Sequence, residues 1–274
     1  MSGIWPDDVR CVVMLTFDID GVSGAINMEP ESARYPGLMS LREYGPSVAV
    51  PRILDVLDKL GVPASFYIPG FVAETHEEMV KEVARRGHEI AHHGYMHEPP
   101  MTLTRDEEAE VLDRGSAILE RITGERPRGY RAPGAELSED SLALLAERGF
   151  LYDSSLMGDD IPYLLDANGT EIVEVPFHWE MDDVAYFNYA PSLGLRQFMA
   201  TPQHVYDVWS AAFEGAYHYG RSLVPVMHPY VTGRLSRLRM LERFIEHMQG
   251  FEGVRFMRAV DAAELCVSQQ SSSC

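Results

Sequence analysis

Strand-like and helix-like segments alternate along the whole 274-residue chain, and this alternation limits the folds available to it. Short apolar runs rich in β-forming residues recur between stretches whose apolar residues repeat at helical spacing. The predicted strands lie at residues 11–17, 63–68, 88–91, 129–131, 150–152, 172–175, 222–227 and 254–256. Strands joined through helices pair in parallel, and seven or eight such units favour a barrel over an open sheet. The sequence therefore predicts an α/β fold, a distorted (β/α) barrel.

The sequence gives no sign of a division into two domains. It contains neither an internal repeat nor a linker between the strand–helix units, and its 46% hydrophobic composition suffices for one large core. We therefore expect a single catalytic barrel domain over residues 1–267. The polar residues 268–274 are expected to form a disordered tail.

Acidic residues outnumber basic ones by 42 to 23, which gives a formal net charge of −19. A field of that sign repels nucleic-acid phosphates and anionic membranes, so we expect neither as a partner. No apolar run reaches the ~18 residues of a membrane helix, and the N-terminus lacks the pattern of a secretory signal. The cysteines, Cys11, Cys266 and Cys274, fit neither a zinc knuckle nor a disulfide framework. We therefore expect a cytoplasmic protein.

A pair of carboxylates follows the first predicted strand, in the segment TFDIDG. Asp18 and Asp20 are separated by one residue and can face one small volume. Two like charges so close raise each other's pKa unless a cation lies between them. A metal held by one carboxylate leaves the other free as a base. The alternative interpretation is a plain turn, because Asp and Gly are common turn residues.

Two histidines four residues apart follow the third predicted strand, in the segment HHGYMHE. In a single helical turn, His93 and His97 would lie on one side, about 6 Å apart along the axis, which suits a shared metal. A histidine in isolation is more often structural than a ligand. His92 receives no role under this interpretation, and Glu98 is expected to be a surface charge rather than an acceptor behind the ligands.

Taken together, one carboxylate of the Asp18 and Asp20 pair, His93 and His97 form the ligand set of a catalytic metal centre. One carboxylate and two imidazoles leave a coordination position open for water. A metal with an open position lowers the pKa of bound water and polarises a carbonyl group. We expect one divalent ion, zinc in the first place, with cobalt, manganese, nickel and iron as alternatives.

Two further segments can complete a mechanism. Arg131 follows an extended segment, and its guanidinium can hold a carboxylate such as Asp18 in a bidentate pair. His228 follows the strand predicted at 222–227 and can donate a proton to a leaving nitrogen. In isolation, each has a simpler interpretation as a surface Arg and a hydrogen-bonding His. Because all four segments follow predicted strands, where a barrel places its chemistry, we predict that they share one active site.

The motifs TFDID, HHGYMH, RAPG and MHP, in this order over roughly residues 11–230, resemble those of the polysaccharide deacetylase superfamily (NodB homology, carbohydrate esterase family four). The resemblance implies a distorted (β/α) barrel, usually of seven strands, and metal-dependent hydrolysis of an N-acyl amide, typically on an amino sugar. It makes Asp18 the catalytic base, Arg131 the residue that orients it and His228 the general acid. The implied metal ligands are Asp20, His93 and His97.

Three departures from the common family pattern point to a sub-branch. Ile19 separates two Asp residues that are usually adjacent, Gly94 replaces the usual Ser or Thr, and Gly134 stands where an aromatic residue is frequent. These features, and the segment HWEMDD, resemble peptidoglycan-deacetylase-like proteins, cyclic imide hydrolases and metal-independent allantoinases, some of which assemble as tetramers. The resemblance therefore implies a homo-oligomer such as a tetramer. Trp179 of that segment either lines the pocket or lies in the core.

The sequence says less about the substrate than about the reaction. Loops predicted at 21–45 and 157–170 are expected to close over a small molecule, and without a secretion signal we expect no contact with bulk polymer. A small soluble amide, imide or ureide is therefore favoured over an N-acetylated sugar. Two other classes stay open. A non-haem iron oxygenase has the same two-histidine, one-carboxylate ligand set, and a carbohydrate-binding pseudoenzyme has the same scaffold.

Overall fold

Parallel strands form the frame of the structure, a computed structural model that describes residues 5–196 and 198–271, the last two by their backbone only. The strands are β1 Cys11–Val13, β2 Thr16–Asp18, β3 Ser65–Ile68, β4 Glu89–His92, β5 Gly129–Tyr130, β6 Tyr152–Asp153, β7 Tyr163–Ala167, β8 Thr170–Glu174, β9 Ser222–Leu223, β10 Val226–Met227 and β11 Val254–Phe256. The helices are α1 Ser23–Met28, α2 Pro36–Tyr44, α3 Val50–Leu60, α4 Gly70–Thr75, α5 Glu77–Arg85, α6 Arg105–Thr123, α7 Ser141–Glu147, α8 Val184–Phe187, α9 Pro202–Tyr219, α10 Pro229–Thr232, α11 Leu235–Gln249 and α12 Ala259–Ser271.

The strands form a curled sheet with eight parallel members among the described residues, when a strand in two parts is counted once. β1 and β2 are successive parts of one strand, as are β9 and β10. The order is β10-β2-β3-β4-β5-β6-β8-β7 in the larger sheet and β11-β1-β9 in the smaller one. Only β7 runs antiparallel among the described strands, paired with β8. A parallel bridge between Asp182 and Val226 joins the segment after β8 to β10. The predicted distorted (β/α) barrel is confirmed.

Most of the strands are buried on both faces because side chains fill the barrel interior and helices cover the outside. Phe17 and Phe66 lie opposite each other in β2 and β3, and their rings stack with centroids 5.0 Å apart. α3 buries Ile53 and Leu57 on one face and ends at Gly61, whose φ of +66° closes the helix. Burying each such side chain contributes about 1.5–3 kcal/mol. This packed core supports the strands and their ends.

Two long helices, α6 and α9, begin directly after a threonine whose side chain caps the helix. Thr104 accepts the backbone N–H of Glu107, whose carboxylate accepts the Thr104 N–H in return, so a capping box starts α6. The hydroxyl of Thr201 accepts the backbone N–H of His204 at the start of α9, where Pro202 takes the first helical position. Within 5–196 and 198–271, no helix has both the length and the apolar character that a bilayer crossing requires.

Three segments that the sequence presents as irregular are regular in the structure. Residues 21–45 contain α1 and α2 rather than a loop, and residues 157–170 contain β7. β7 pairs with β8 through a turn at Asn168 and Gly169, both of positive φ, which is the typical composition of a tight hairpin. The tail expected to be disordered from residue 268 is helical through Ser271, because α12 continues that far. Residues 272–274 of that tail lie outside the described residues.

A glycine in α6 provides a test of how closely the helices pack on the barrel. A Cβ at Gly115 would lie 2.3 Å from Nε2 of His92, which is held between the rings of Tyr130 and Phe150. Overpacking costs about 1–3 kcal/mol, more than the ~1 kcal/mol by which Ala favours a helix. We therefore expect Gly115→Ala to lower the free energy of unfolding in urea by about 1 kcal/mol.

The matched control for this substitution is Gly215 in α9. A Cβ at Gly215 would have no atom within 4 Å. We expect Gly215→Ala to raise the free energy of unfolding by about 0.5–1 kcal/mol through helix propensity alone. Equal stabilisation of both variants would contradict the packing described for His92.

Candidate metal centre and active site

The six residues singled out by sequence lie together at the carboxyl ends of four strands. Asp18 ends β2 and Asp20 follows it. His93 follows β4, and Arg131 follows β5. His228 follows β10, and His97 comes from the loop after β4. Because parallel strands bring these ends to one rim of the barrel, residues up to 210 positions apart in sequence meet there.

Asp20, His93 and His97 have the geometry of metal ligands. Oδ1 of Asp20 lies 3.6 Å from Nε2 of His93 and 3.6 Å from Nε2 of His97. Two ligand atoms on one tetrahedral ion with bonds of about 2.1 Å would be roughly 3.4 Å apart. Oδ1 of Asp20 is also buried with no hydrogen-bond partner. A buried carboxylate oxygen without a donor, facing two imidazole nitrogens, fits a divalent cation.

The two histidines do not share a helical turn, contrary to the sequence interpretation. The segment after β4 is an irregular loop in which Gly94 and His97 have φ of +73° and +64°. The loop brings the two imidazole centroids to 5.0 Å. Glu98, expected to be a surface charge, accepts two backbone N–H groups inside this loop at 2.8 and 3.0 Å. It therefore fixes the loop that carries both ligands.

Groups behind the ligands fix their orientation. Nδ1 of His93 lies 2.7 Å from the backbone oxygen of Arg131, so this nitrogen donates and Nε2 is left to face Asp20. The side-chain amide of Asn27, in α1, donates to the backbone oxygen of His97 at 3.0 Å. Both ligand histidines are thus held by neighbouring elements rather than by each other.

Asp18 is clamped beside the ligands by Arg131. Nη1 of Arg131 donates to Oδ1 of Asp18 at 2.8 Å, and the other carboxylate oxygen lies 4.0 Å from Nε2 of His93. Three further guanidinium hydrogens go to Thr16 and to both oxygens of Ser154, at 2.8–3.0 Å. This bonding leaves one oxygen of Asp18 directed toward the candidate metal ligands.

His228 forms an ion pair with a residue that the sequence did not single out. Its Nδ1 donates to Oδ1 of Asp183 at 2.9 Å, and its backbone N–H donates to the other oxygen at 2.9 Å. Its Nε2 lies 3.8 Å from Oδ2 of Asp20. Burial lowers the pKa of His228, but the carboxylates of Asp20 and Asp183 outweigh it and raise that pKa well above the usual value. The imidazole is therefore protonated at neutral pH, as a general acid requires.

Asp182 and Asp183 lie in the segment HWEMDD, which the sequence placed only near the pocket. Ligand atoms of these two residues and His228 also come within 4.8 Å of one another. The 2.9 Å contact of His228 with Asp183 is a hydrogen bond, which leaves Nδ1 of this histidine occupied rather than free for a second metal. Burial raises the pKa of Asp182 to about 7. Trp179 from the same segment is 45% exposed and therefore not a core residue.

The charges at the site agree with the assigned ligands. Burial alone would raise the pKa of Asp20, but the nearby histidines hold it well below its usual value, so this carboxylate is ionised. Burial lowers the pKa of His97 to about 4 despite the attraction of Asp20, so its imidazole is neutral at pH 7. An anionic carboxylate and a neutral imidazole are the forms that bind a metal.

Comparison with known proteins places this geometry in a known family. The sequence model of the family Polysaccharide deacetylase matches residues 8–152. That span contains the candidate metal ligands, Asp18 and Arg131, and it ends before His228. The matched half of the chain is thus the half that contributes most of the site.

Three known proteins are similar over nearly their full length. A peptidoglycan deacetylase of Helicobacter pylori is 31% identical over 273 aligned residues, which cover 90% of this chain and 93% of the relative. A crystal structure of a Mycobacterium smegmatis protein assigned as a polysaccharide deacetylase superposes with a TM-score of 0.94 at 38% identity, covering 97% and 93% of the two chains. The crystal structure of Puue allantoinase superposes with a TM-score of 0.83 at 25% identity, covering 96% and 92%.

Proposed function

Because the chain belongs to the polysaccharide deacetylase family, we propose that this hydrolase of non-peptide carbon–nitrogen bonds works with one divalent metal ion. The observation that carries the proposal is the buried, unpartnered oxygen of Asp20 at 3.6 Å from an imidazole nitrogen of both His93 and His97. Zinc suits two imidazoles and one carboxylate, with cobalt, manganese, nickel and iron as alternatives. When bound, the ion supplies a Lewis acid that polarises the substrate carbonyl and activates water.

The chain's own residues move the protons. Asp18 accepts the proton of the attacking water through the oxygen that Arg131 does not bind. Arg131 keeps the carboxylate oriented. His228, protonated by its pairing with Asp183, donates a proton to the leaving nitrogen as the carbon–nitrogen bond breaks. Asp18, the base, lies beside His93 at 4.0 Å. His228, the acid, lies beside Asp20 at 3.8 Å.

We propose a small soluble amide, imide or ureide as the substrate, with N-acetylated sugars as the second candidate class. Two relatives bear on this choice, a peptidoglycan deacetylase and an allantoinase, which are named for an amino-sugar polymer and for a small ureide. α1 supports a small substrate because it reaches over the rim and contacts His97 through Asn27. We further propose a cytoplasmic homotetramer, to be sized by light scattering during gel filtration.

The other classes receive less support from the site. An iron oxygenase would give no role to the buried Asp18–Arg131 pair or to the His228–Asp183 pair. A carbohydrate-binding pseudoenzyme would have no need for a base and an acid placed beside three ligands. Turnover without oxygen separates hydrolysis from oxygenation, and any turnover separates an enzyme from a binding module.

A substrate screen tests the proposed function. The purified protein, supplied with zinc, cobalt, manganese or nickel, is incubated with N-acetylglucosamine oligomers, succinimide, hydantoin and allantoin, and the products are identified by mass spectrometry. We expect metal-stimulated addition of water to at least one imide or ureide. Exclusive release of acetate from the sugars would overturn the small-substrate proposal and keep the family reaction.

The pairing of His228 with Asp183 predicts a shift in the pH profile. The raised pKa of His228 keeps the acid protonated at neutral pH, and the proton is lost as the pH rises through that pKa. Asp183→Asn removes the charge, so the basic limb of kcat/KM should move down by about 1–2 pH units. Asp207→Asn, at an exposed position in α9, is the matched control. A basic limb at the same pH in both variants would contradict the role of Asp183.

A further inference from the structure

Arg42 is a buried arginine without a partner beside the proposed metal centre. Arg42 and Arg131 are the two buried arginines among the described residues, with exposures of 4% and 1%. Arg131 uses all three guanidinium nitrogens in hydrogen bonds. The guanidinium of Arg42, by contrast, has no hydrogen bond or ion pair within the described part of the chain, and its Nε is enclosed without an acceptor.

Arg42 shares a neighbour with the proposed acid. Its guanidinium carbon lies 4.1 Å from the centre of the Tyr230 ring. That ring packs edge-on against His228, with centroids 6.0 Å apart. Tyr230 therefore contacts both Arg42 and His228.

The backbone holds Arg42 in this position. α2, which carries Arg42, ends next to Gly45, and a Cβ at Gly45 would lie only 3.2 Å from the backbone nitrogen of Tyr230. The glycine thus permits the close approach that seats the guanidinium on the ring. The face of the Tyr230 ring attracts the positive charge of Arg42 but accepts no hydrogen bond from N–H groups that lie in the guanidinium plane. The N–H donors of Arg42 therefore stay available.

An unpaired buried charge needs a reason, because burying it without a partner is unfavourable. This chain has 42 acidic residues, yet none of the described ones pairs with Arg42. The carboxylates of the candidate site contact its histidines and Arg131 instead. The planar guanidinium of Arg42 can bind a carboxylate through two parallel hydrogen bonds. Its single positive charge would balance the negative charge of one such carboxylate.

We propose that Arg42 binds a carboxylate of the substrate and so selects small amides, imides or ureides that carry one carboxylate near the scissile carbonyl. The inference rests on the proposed function for the location of the scissile bond. It adds a substrate class that the ligands and the proton-transfer residues do not specify. A neutral N-acetyl sugar would leave the guanidinium unpaired.

Paired binding probes test this proposal. Succinamate and succinamide have the same length and amide, and only succinamate has a carboxylate. Their dissociation constants are measured by calorimetry on the metal-loaded full chain, for the wild type, Arg42→Met, Arg42→Lys and Arg243→Met. Arg243 is the matched control because it stacks on Tyr206 at 4.5 Å in exposed surroundings.

We expect the wild type and Arg243→Met to prefer succinamate. Arg42→Met should weaken succinamate binding at least about 30-fold and change succinamide binding less than twofold, since losing one partner of a buried charge pair has an effect of that order. Arg42→Lys should retain part of the preference. The melting temperature of Arg42→Met without ligand should not fall, since the variant removes an unpaired charge.

Two results would overturn the proposal. Equal weakening of both probes in Arg42→Met would show that Arg42 only supports Tyr230, and unchanged succinamate binding would show that the carboxylate binds elsewhere. Failure of the proposed metal mechanism would be seen as absent metal or absent turnover. The preference for succinamate over succinamide could still be measured in that case.

Discussion

Asp20→Ala is expected to abolish metal retention and, with it, activity. The side chain supplies the carboxylate that faces both His93 and His97, and no other described carboxylate oxygen has equivalent 3.6 Å contacts with the two imidazoles. We expect the metal affinity to fall more than about a hundredfold, beyond the 10–100-fold typical of losing a group behind a ligand. Metal content after dialysis and kcat/KM at saturating metal are the two measurements.

The control for Asp20→Ala is Asp207→Ala, which removes an equal charge from an exposed position on α9. It should retain full metal content and activity. An Asp20→Ala protein that keeps its metal and its turnover would remove Asp20 from the ligand set. His93→Ala and His97→Ala should behave as Asp20→Ala does, because each contributes one of the three contacts.

Asp18→Asn is expected to keep the metal and lose most of kcat. Asparagine can accept the hydrogen bond from Arg131 but cannot take a proton from water. Loss of a general base lowers kcat by about 10²–10⁴-fold. Stopped assays of the metal-loaded variant give kcat and KM separately, and we expect the change to fall mainly on kcat. A variant with wild-type kcat would show that another group is the base.

Asp18→Asn should also destabilise the fold. Arg131 is 1% exposed, and without the carboxylate its charge would be buried without compensation. Breaking a buried pair in this way costs about 3–5 kcal/mol. Urea unfolding of the metal-loaded variant measures this loss. Unchanged stability would mean that Thr16 and Ser154 suffice to hold the guanidinium.

The sequence located the residues of the candidate site because its signals are local. Each candidate stands directly after an apolar strand, and the ends of parallel strands converge whatever the lengths of the connections. Asp18, Asp20 and His93 could therefore be placed without knowledge of tertiary contacts. The pairing of Arg131 with Asp18 followed from the same rule, and the structure shows it at 2.8 Å.

Features that depend on distant contacts or on short elements were missed. The prolines at 30, 36 and 46 divide residues 21–49 into pieces too short for a visible helical period, so α1, α2 and Arg42 lay in what the sequence presents as a loop. The pairing of Asp183 with His228 could not be predicted, because the two residues are 45 positions apart. They meet through a β-bridge that joins β10 to the segment following β8. The Asn168–Gly169 turn was a signal for β7 that a search for hairpins would find.

Metal analysis of the purified full chain tests the central claim most directly. Elemental analysis by mass spectrometry, combined with activity before and after a chelator, follows the ion and the reaction in one sample. We predict about one divalent ion per chain, loss of activity with the chelator and its return when zinc or cobalt is restored. A protein that contains no divalent ion and stays fully active in the chelator would contradict the metal centre formed by Asp20, His93 and His97.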